Sequence, residues 1–458
     1  MRVRSVGIVG GGPGGLMTAY LLEKYAAAPL RITLLEASDR LGGKVLTPAF
    51  QTAPVRYEAG AAEFYDYEGL GEDPLKDLIR ELGLSIAPMG GSAVILDEQV
   101  ISSLEDVEHY LGPGAGRALL EFDQQARDCI VPDEFYHSDD PEGSPDVAEP
   151  VSFRESLARI ANPAARRYVE TLIHSDLAAE PSQTSFDYGL QNYLMNDGRY
   201  MKLYGIVGGN EQLPQALAAR INAEVRLGVR VRSIRSTGDQ LAVTTERGES
   251  QVVEHFDIVV AALPHQLLGQ VAFEGPRLAT AIANHLAHYD HPAHYLRITL
   301  LFERPFWRSM LTDSYWMLDK WGGCCLYDES ARQPGTTHGV LGWLLAGDAA
   351  VAARDQSDQE LIAAALDSLP GPLAAGRNCC LEGRVHRWSC EVNAIPGGRF
   401  RQRLDRRHQP EPLEHPGLFV VGDYLFDSTI NGVYDSAEYV ASWIAAATCA
   451  PVEQPVLV

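Results

Sequence analysis

The chain has 458 residues, too long for one ordinary core, so two lobes are the default. Apolar residues make up 46%, as in an ordinary globular protein, and the formal net charge is −23. Such an acidic surface argues against nucleic acid and anionic membrane as partners and mildly favours cationic or neutral small molecules.

No apolar run is long enough to span a bilayer. Met1-Arg2-Val3-Arg4 leads straight into a β-rich run rather than a signal peptide, so the cytoplasm is the expected compartment. The cysteines (Cys129, Cys324, Cys325, Cys379, Cys380, Cys390 and Cys449) are odd in number and include no C-x-x-C. Reduced, mostly buried thiols are expected.

Val3 to Val9 is a short β-branched run, and glycine follows at once. Helical apolar spacing from Leu16 to Tyr25 and a second β-rich run from Arg31 to Leu35 complete a βαβ unit. Leu75 to Leu82 reads as a helix. Pro132 to Pro150 scatters carboxylates among Pro, Gly and Ser and reads as a loop, either a lid or a plain insertion. Gln215 to Ala223 is helical, and Val225 to Ile234 alternates like a strand. Leu241 to Thr245, Gln251 to Ala262 and Leu296 to Phe302 read as further strands. Gly417 to Val421 is a late apolar strand, and a terminal helix runs from about Gly432 to Ala447. That late strand resumes the style of the N-terminal unit. The reading is an α/β (α+β) protein whose nucleotide domain is built from three separated pieces.

Gly10, Gly12 and Gly15 form G-x-G-x-x-G between the first strand and the first helix. Gly10 permits the tight turn, Gly12 lets backbone approach a pyrophosphate, and Gly15 lets helix and strand pack closely. Glu36 ends the next strand about 20 residues on, where a carboxylate accepts from ribose hydroxyls and repels a 2′-phosphate. Two further segments favour FAD over NAD. Leu41-Gly42-Gly43-Lys44 combines close backbone approach with positive charge near phosphate. Far away, the strand ending in Gly422-Asp423 offers a carboxylate to polyol hydroxyls. The helix N-terminus near Gly432 to Tyr434 can face the pyrimidine end of a flavin, where reduction places negative charge.

The stretches GIVGGGPGG…LLEASDRLGGK, YEAGAAEF, GIVGGNEQLPQAL, VRVRSI, IVVAALPH, LFERPFW and GLFVVGDYLFDSTINGVYDSAEYVA run through nearly the whole chain. In that order they resemble the flavin-containing amine oxidase superfamily of monoamine oxidases, L-amino acid oxidases and related desaturases. The resemblance implies an FAD domain of discontinuous segments (1–80, 205–270 and 385–458) and an interleaved sheet-plus-helices substrate domain (81–204 and 271–384), meeting at the flavin. It implies that Val231 holds the adenine through its backbone. Gly10, Gly12, Gly15, Glu36, Lys44 and Asp423 should contact FAD, with Gly43, Gly60, Gly422 and Val433 nearby. Members of this superfamily remove a hydride from a C–N bond and often pass the electrons to oxygen.

The chain also departs from those relatives. Where many carry a lysine in the strand before P-F-W, holding a water near flavin N5, Arg297 stands here, before Pro305-Phe306-Trp307. Strand alternation puts Arg297 on the face with Thr299, Leu301 and Glu303, the more polar one. Its readings are a flavin-side or substrate-carboxylate contact, or a structural ion pair. The aromatic cage of several relatives is replaced by Val433 and by Gly397-Gly398. Cys390 lies close to Trp388 but not at the spacing of relatives that attach flavin through cysteine, so non-covalent FAD is expected. His285, His288, His291 and His294 recur every three residues, yet Pro292 and the polar surroundings favour a loop over a metal site. Phe64, Tyr65, Tyr67, Tyr315, Trp316, Trp321 and Tyr327 are core or pocket aromatics.

These readings predict an FAD-dependent oxidase or dehydrogenase that transfers a hydride from an amine or amino acid, or a carboxylated derivative, to flavin N5. A desaturase or isomerase of a non-amine skeleton and a catalytically silent flavoprotein stay open beside it. Expected partners are the small-molecule substrate and O2 as acceptor, without nucleic acid or membrane and without a metal; a homodimer stays open.

Overall fold

The computed structural model describes residues 3–91, 93–135, 151–333 and 335–449. Contacts divide the chain into two compact units, each built of separated segments.

The first unit comprises Met1–Lys44, Leu213–Asp290 and Gln402–Val458. Its main sheet is parallel throughout, in the order Leu418–Val420, Ile258–Ala261, Arg4–Val9, Leu30–Leu35 and Glu224–Arg226. Such strands are covered on both faces, which is why Val6, Ile8, Leu34 and Val259 all lie in the core. The helices Pro13–Tyr25 and Ile430–Cys449 pack against each other. A second sheet joins Ser250–Phe256, Leu241–Arg247, Arg230–Ser236 and Ala272–Glu274.

In two places the chain breaks where an unbroken strand was expected. Gly228, with φ +68°, separates Glu224–Arg226 from Arg230–Ser236. Asp257 separates Ser250–Phe256 from Ile258–Ala261, which belong to different sheets. Its carboxylate accepts from the N–H and hydroxyl of Ser5, at 2.8 and 2.9 Å, and pins the turn to the first strand. The segment Gln212–Ala218 is the helix read at 215–223, ending earlier.

The second unit comprises Val45–Gln212 and His291–Arg401. Its seven-stranded sheet runs Cys380–Asn393, Pro292–Phe302, Gly339–Ala346, Cys324–Asp328, Tyr315–Leu318, Val94–Leu96 and Gln99–Ile101. A three-stranded sheet joins Phe64–Asp66, Lys202–Ile206 and Ile86–Met89. Helices including Ala115–Cys129, Pro163–Leu177 and Phe186–Leu194 cover a core that contains Phe122, Phe153, Val169 and Tyr200.

Strand pairing explains where the unit boundaries depart from those read in the sequence. Residues 45–80 join the second unit because Phe64–Asp66 pairs with Lys202–Ile206. Residues 385–401 do so because Cys380–Asn393 lies along Pro292–Phe302. Residues 271–290 join the first unit because Ala272–Glu274 pairs with Arg230–Ser236. The histidine series is not a loop. His285 and His288 end the helix Pro276–His288, and His294 lies in the strand that Pro292 opens. Pro132–Phe135 forms a helical turn, and the rest of the expected 132–150 loop lies outside the described residues. No helix among the described residues is long and apolar enough to cross a membrane.

Candidate functional site

In the first unit the glycine turn is built by close backbone contacts. Gly10 has φ +105°, and a Cβ there would lie 2.3 Å from the Ala262 carbonyl oxygen. A Cβ on Gly15 would lie 2.0 Å from the Gly10 oxygen. Gly12 differs: a Cβ there would meet nothing nearer than the Gly43 Cα at 3.9 Å. The glycine at 12 therefore leaves a cradle that a side chain would fill. Gly12 caps the helix Pro13–Tyr25 without any side-chain cap, and its first turn carries no acidic residue. Free N–H groups, an uncompensated positive dipole end and open space beside them fit a pyrophosphate.

Glu36 braces this turn. One carboxylate oxygen accepts from the Gly11 N–H and the other from the Ser38 N–H, both at 2.7 Å. Its own carbonyl accepts from the Val229 N–H at 2.9 Å, which places the strand of Val231 beside it. Val231 pairs with Thr245 on one side, while the neighbour Ala272–Glu274 begins its pairing only at Ser233. Lys44 reaches Asp423, 3.1 Å away across the separated segments. Gly422 donates its N–H to the Ser436 hydroxyl at 3.1 Å, and that hydroxyl meets His408 Nε2 at 3.1 Å. His408 Nδ1 pairs with the Leu404 carbonyl, so Nδ1 carries the proton and the ring is neutral. Burial pushes the His408 pKa down to about 4. Val433, near the start of the terminal helix, packs close to Gly14.

The second unit holds a buried charge network on its large sheet. Arg297 is fully covered and paired with Glu329, each side chain 1% exposed. Its guanidinium carbon sits 4.9 Å from the centre of the Tyr327 ring. Burial works against its charge, but Glu329 and Tyr327 more than compensate and hold its pKa above the usual arginine value. Its Nε and Nη1 have no hydrogen-bond partner among the described residues. Gly342 makes room for the pair. A Cβ there would lie 2.5 Å from Glu329 Oε1 and 3.0 Å from Arg297 Nη2. The motif Pro305-Phe306-Trp307 sets the other side: the Trp307 indole donates to Asp328 at 3.0 Å, next to Glu329. Glu58 continues the network. Its N–H donates to Glu329 Oε2 at 2.7 Å, and its carboxylate accepts from the Asn210 N–H and the Thr47 hydroxyl. Burial pushes Glu58 up to about 7, against the pull of Arg332.

Beside this network lies a cavity of about 20 Å3, bordered among others by Glu63, Tyr65, Asp176, Asn196, Tyr315 and Tyr327. That volume holds about one water-sized group. Glu63 and Asp176 keep some surface as residues, but their carboxyl ends are enclosed. Glu63 Oε2 has no hydrogen-bond partner among the described residues. Burial raises the Glu63 pKa, opposed by Arg297. Burial, then the charge of Glu63, pushes Asp176 up to about 8.

The model of the family described as "Flavin containing amine oxidoreductase" matches residues 13–445. The chain belongs to this family. Relatives include the flavin-dependent L-tryptophan oxidase RebO of Lentzea aerocolonigenes, 26% identical over 59% of this chain and 60% of that protein. The putrescine oxidase of Kocuria rosea is 25% identical over 67% of this chain and 66% of its own length. The chain thus spans less than two thirds of either relative. Among solved structures, the cyclohexylamine oxidase of Brevibacterium oxydans superposes with TM-score 0.74 at 20% identity, covering 97% of this chain and 99% of that one. That likeness supports the mixed α/β fold.

Of the residues read from the sequence as cofactor ligands, Gly10, Gly12, Gly15, Glu36, Gly43, Lys44, Val231, Gly422, Asp423 and Val433 lie in the first unit. Gly60 and the proposed catalytic Arg297 lie in the second. Arg297 does form the ion pair that was one of its two readings, and its strand is buried on both faces rather than half polar. Glu329, Glu63 and Asp176 were not singled out. Glu63 stood inside the quoted stretch YEAGAAEF, and Gly342, a glycine inside an apolar strand, was the available sign of a bulky neighbour.

Proposed function

We propose that this chain binds FAD non-covalently and oxidises an amine by hydride transfer to flavin N5. The uncapped helix N-terminus with its open cradle at Gly12 carries the cofactor half of this reading. Gly10, Gly12, Gly15 and Gly43 would line the pyrophosphate, Glu36 the ribose, and the Val231 backbone the adenine. Lys44 and Asp423 would serve phosphate and polyol, with Gly60, Gly422 and Val433 around the remainder. Cys390 is turned to His294, its Sγ 3.9 Å from Nδ1, which supports a cofactor held without a thioether. Bound flavin supplies a hydride acceptor, with O2 as the expected final acceptor.

The protein's own part is to orient the substrate and keep its nitrogen in the right protonation state. The buried acids Glu63 and Asp176 favour a nitrogen base over a carboxylated substrate, because the burial that already raises both pKa values would act on another carboxylate placed beside them. Arg297 keeps its charge and is anchored through Nη2 to Glu329, leaving Nε and Nη1 to position an acceptor.

Purified protein should be yellow, and denaturation should release FAD into the filtrate. Anaerobic mixing with amines and amino acids should bleach the flavin spectrum. Bleaching by non-amines alone would move the chain to the desaturase class, and a colourless protein that FAD cannot reconstitute would refute the cofactor assignment.

A further inference from the structure

We infer that the strand Ser250–Phe256 of the first unit pairs with the same strand of a second copy, joining two chains by an antiparallel ladder about a two-fold axis.

This strand stands at the edge of its sheet, with Leu241–Arg247 as its neighbour on one side and no strand on the other among the described residues. Every second backbone N–H and C=O on the open side is left to solvent. Exposed edges are normally blunted by lysine, proline, a bulge or short length. This one has none of these. It runs seven residues without Lys or Pro, and its register with Leu241–Arg247 is unbroken from end to end. Its centre is apolar on both faces. Val252 and Val253, which point to opposite faces, are 53% and 48% exposed. They are the one consecutive pair of exposed large apolar residues among the described residues. Elsewhere in the same sheet Ile234 and Val243 are fully buried.

The sequence SQVVEHF is complementary to itself when antiparallel. With Val252 opposite Val253 of the other copy, one valine pair forms on each face, covering both side chains that the single chain leaves open. The same register sets Gln251 opposite Glu254, an amide donor against a carboxylate, and Ser250 opposite His255. No like charges face each other, and Arg226 already holds Glu254 at 2.7 Å within its own chain. A slip by one residue in either direction would set a valine against Gln251 or Glu254, so the pattern selects one register. Such a contact closes on itself and stops at two copies. The other edge of the sheet, Ala272–Glu274, has only three residues with which to continue a ladder.

The test follows mass by light scattering and sedimentation across protein concentration and salt. Each copy carries a formal net charge of −23, so salt should screen their repulsion and strengthen pairing. The wild-type mass should rise toward twice that of the monomer, and amide exchange at 250–255 should slow with concentration. The double variant V252K/V253K sets lysines opposite lysines on both faces. It should weaken association at least about tenfold. Its melting temperature at low concentration should match wild type, because both side chains are half exposed in the single chain. A protein that stays monomeric at every concentration and salt would overturn the inference, whether or not this edge then takes up an extended segment of a different protein. So would a dimer that survives both lysines and leaves exchange at 250–255 unchanged, since its copies meet elsewhere.

Discussion

The ion pair of Arg297 and Glu329 can be taken apart by a double-mutant cycle, using Arg297→Met and Glu329→Gln singly and together. Both side chains are 1% exposed. Without Arg297, the Glu329 carboxylate stays buried with the Glu58 N–H, at 2.7 Å, as its remaining hydrogen-bond donor among the described residues. Breaking such a pair from one side costs about 3–5 kcal/mol, whereas replacing both partners by groups of similar volume is close to neutral. Each single variant should therefore lose several kcal/mol, and the double variant should recover most of it. Urea unfolding followed by tryptophan fluorescence suits the measurement, because Trp307, Trp316, Trp321, Trp343 and Trp388 lie in the second unit and Trp443 alone in the first. Turnover separates the two readings of Arg297. If the pair is structural only, the double variant regains activity with stability. If the unpartnered Nε and Nη1 position substrate, stability returns and turnover does not, while FAD stays bound in every variant. An Arg297→Met protein within about 1 kcal/mol of wild type would refute the reasoning, since only exposed pairs are that weak.

Gly12→Ala and Gly15→Ala should fail differently. The first has space and should fold normally but lose flavin affinity, and the second places Cβ 2.0 Å from a backbone oxygen and should lower the melting temperature. Equal melting losses for both would contradict the cradle. Glu36→Gln should lose about tenfold or more in FAD affinity, read as flavin lost on gel filtration, through one charge-assisted bond; full retention would remove Glu36 from the ribose site. His408 has its folded pKa pushed down to about 4, below an unfolded value near 6.5. Its stabilisation is complete above pH 6.5 and fades as pH falls toward 4, by about 3 kcal/mol at most. His408→Gln should flatten the stability profile over that window, and an unchanged slope would assign acid sensitivity elsewhere.

The nucleotide-binding half of the fold was legible because its signals are local. A βαβ turn declares itself through glycines at fixed spacing, and Gly10 and Gly15 prove to be positions where backbone sits against backbone. The late strand Leu418–Val420 could be attached to the same sheet because a covered parallel strand is apolar throughout. The unit boundaries were not legible in this way. Phe64–Asp66 has three residues, too few to show a period, and it is pairing with Lys202–Ile206 that carries residues 45–80 into the second unit. The break at Asp257 was hidden because its partner Ser5 lies 252 positions away, so nothing nearby marks it.

The second unit shows why a buried charge resists reading from sequence. Alternation along 296–302 assigned Arg297 to a polar face, on the assumption that a charged residue in a strand looks toward water. The strand instead has neighbours on both edges and cover on both faces, and the arginine is kept by Glu329, 32 positions later, in a turn after another strand. The information was present in two uncharged residues. Gly342 in the adjoining strand leaves the volume that the pair fills, and Trp307 ties down Asp328 so that Glu329 points inward. The same logic applies to Glu63 and Asp176, which come from a strand approach and a helix far apart in sequence and acquire their meaning only from each other. Burial raises both acids, and Arg297 and Arg332 oppose the rise only at Glu63. The unfilled acceptor at Glu63, more than any motif in the chain, is what directs attention from the flavin common to the family to the substrate particular to this protein.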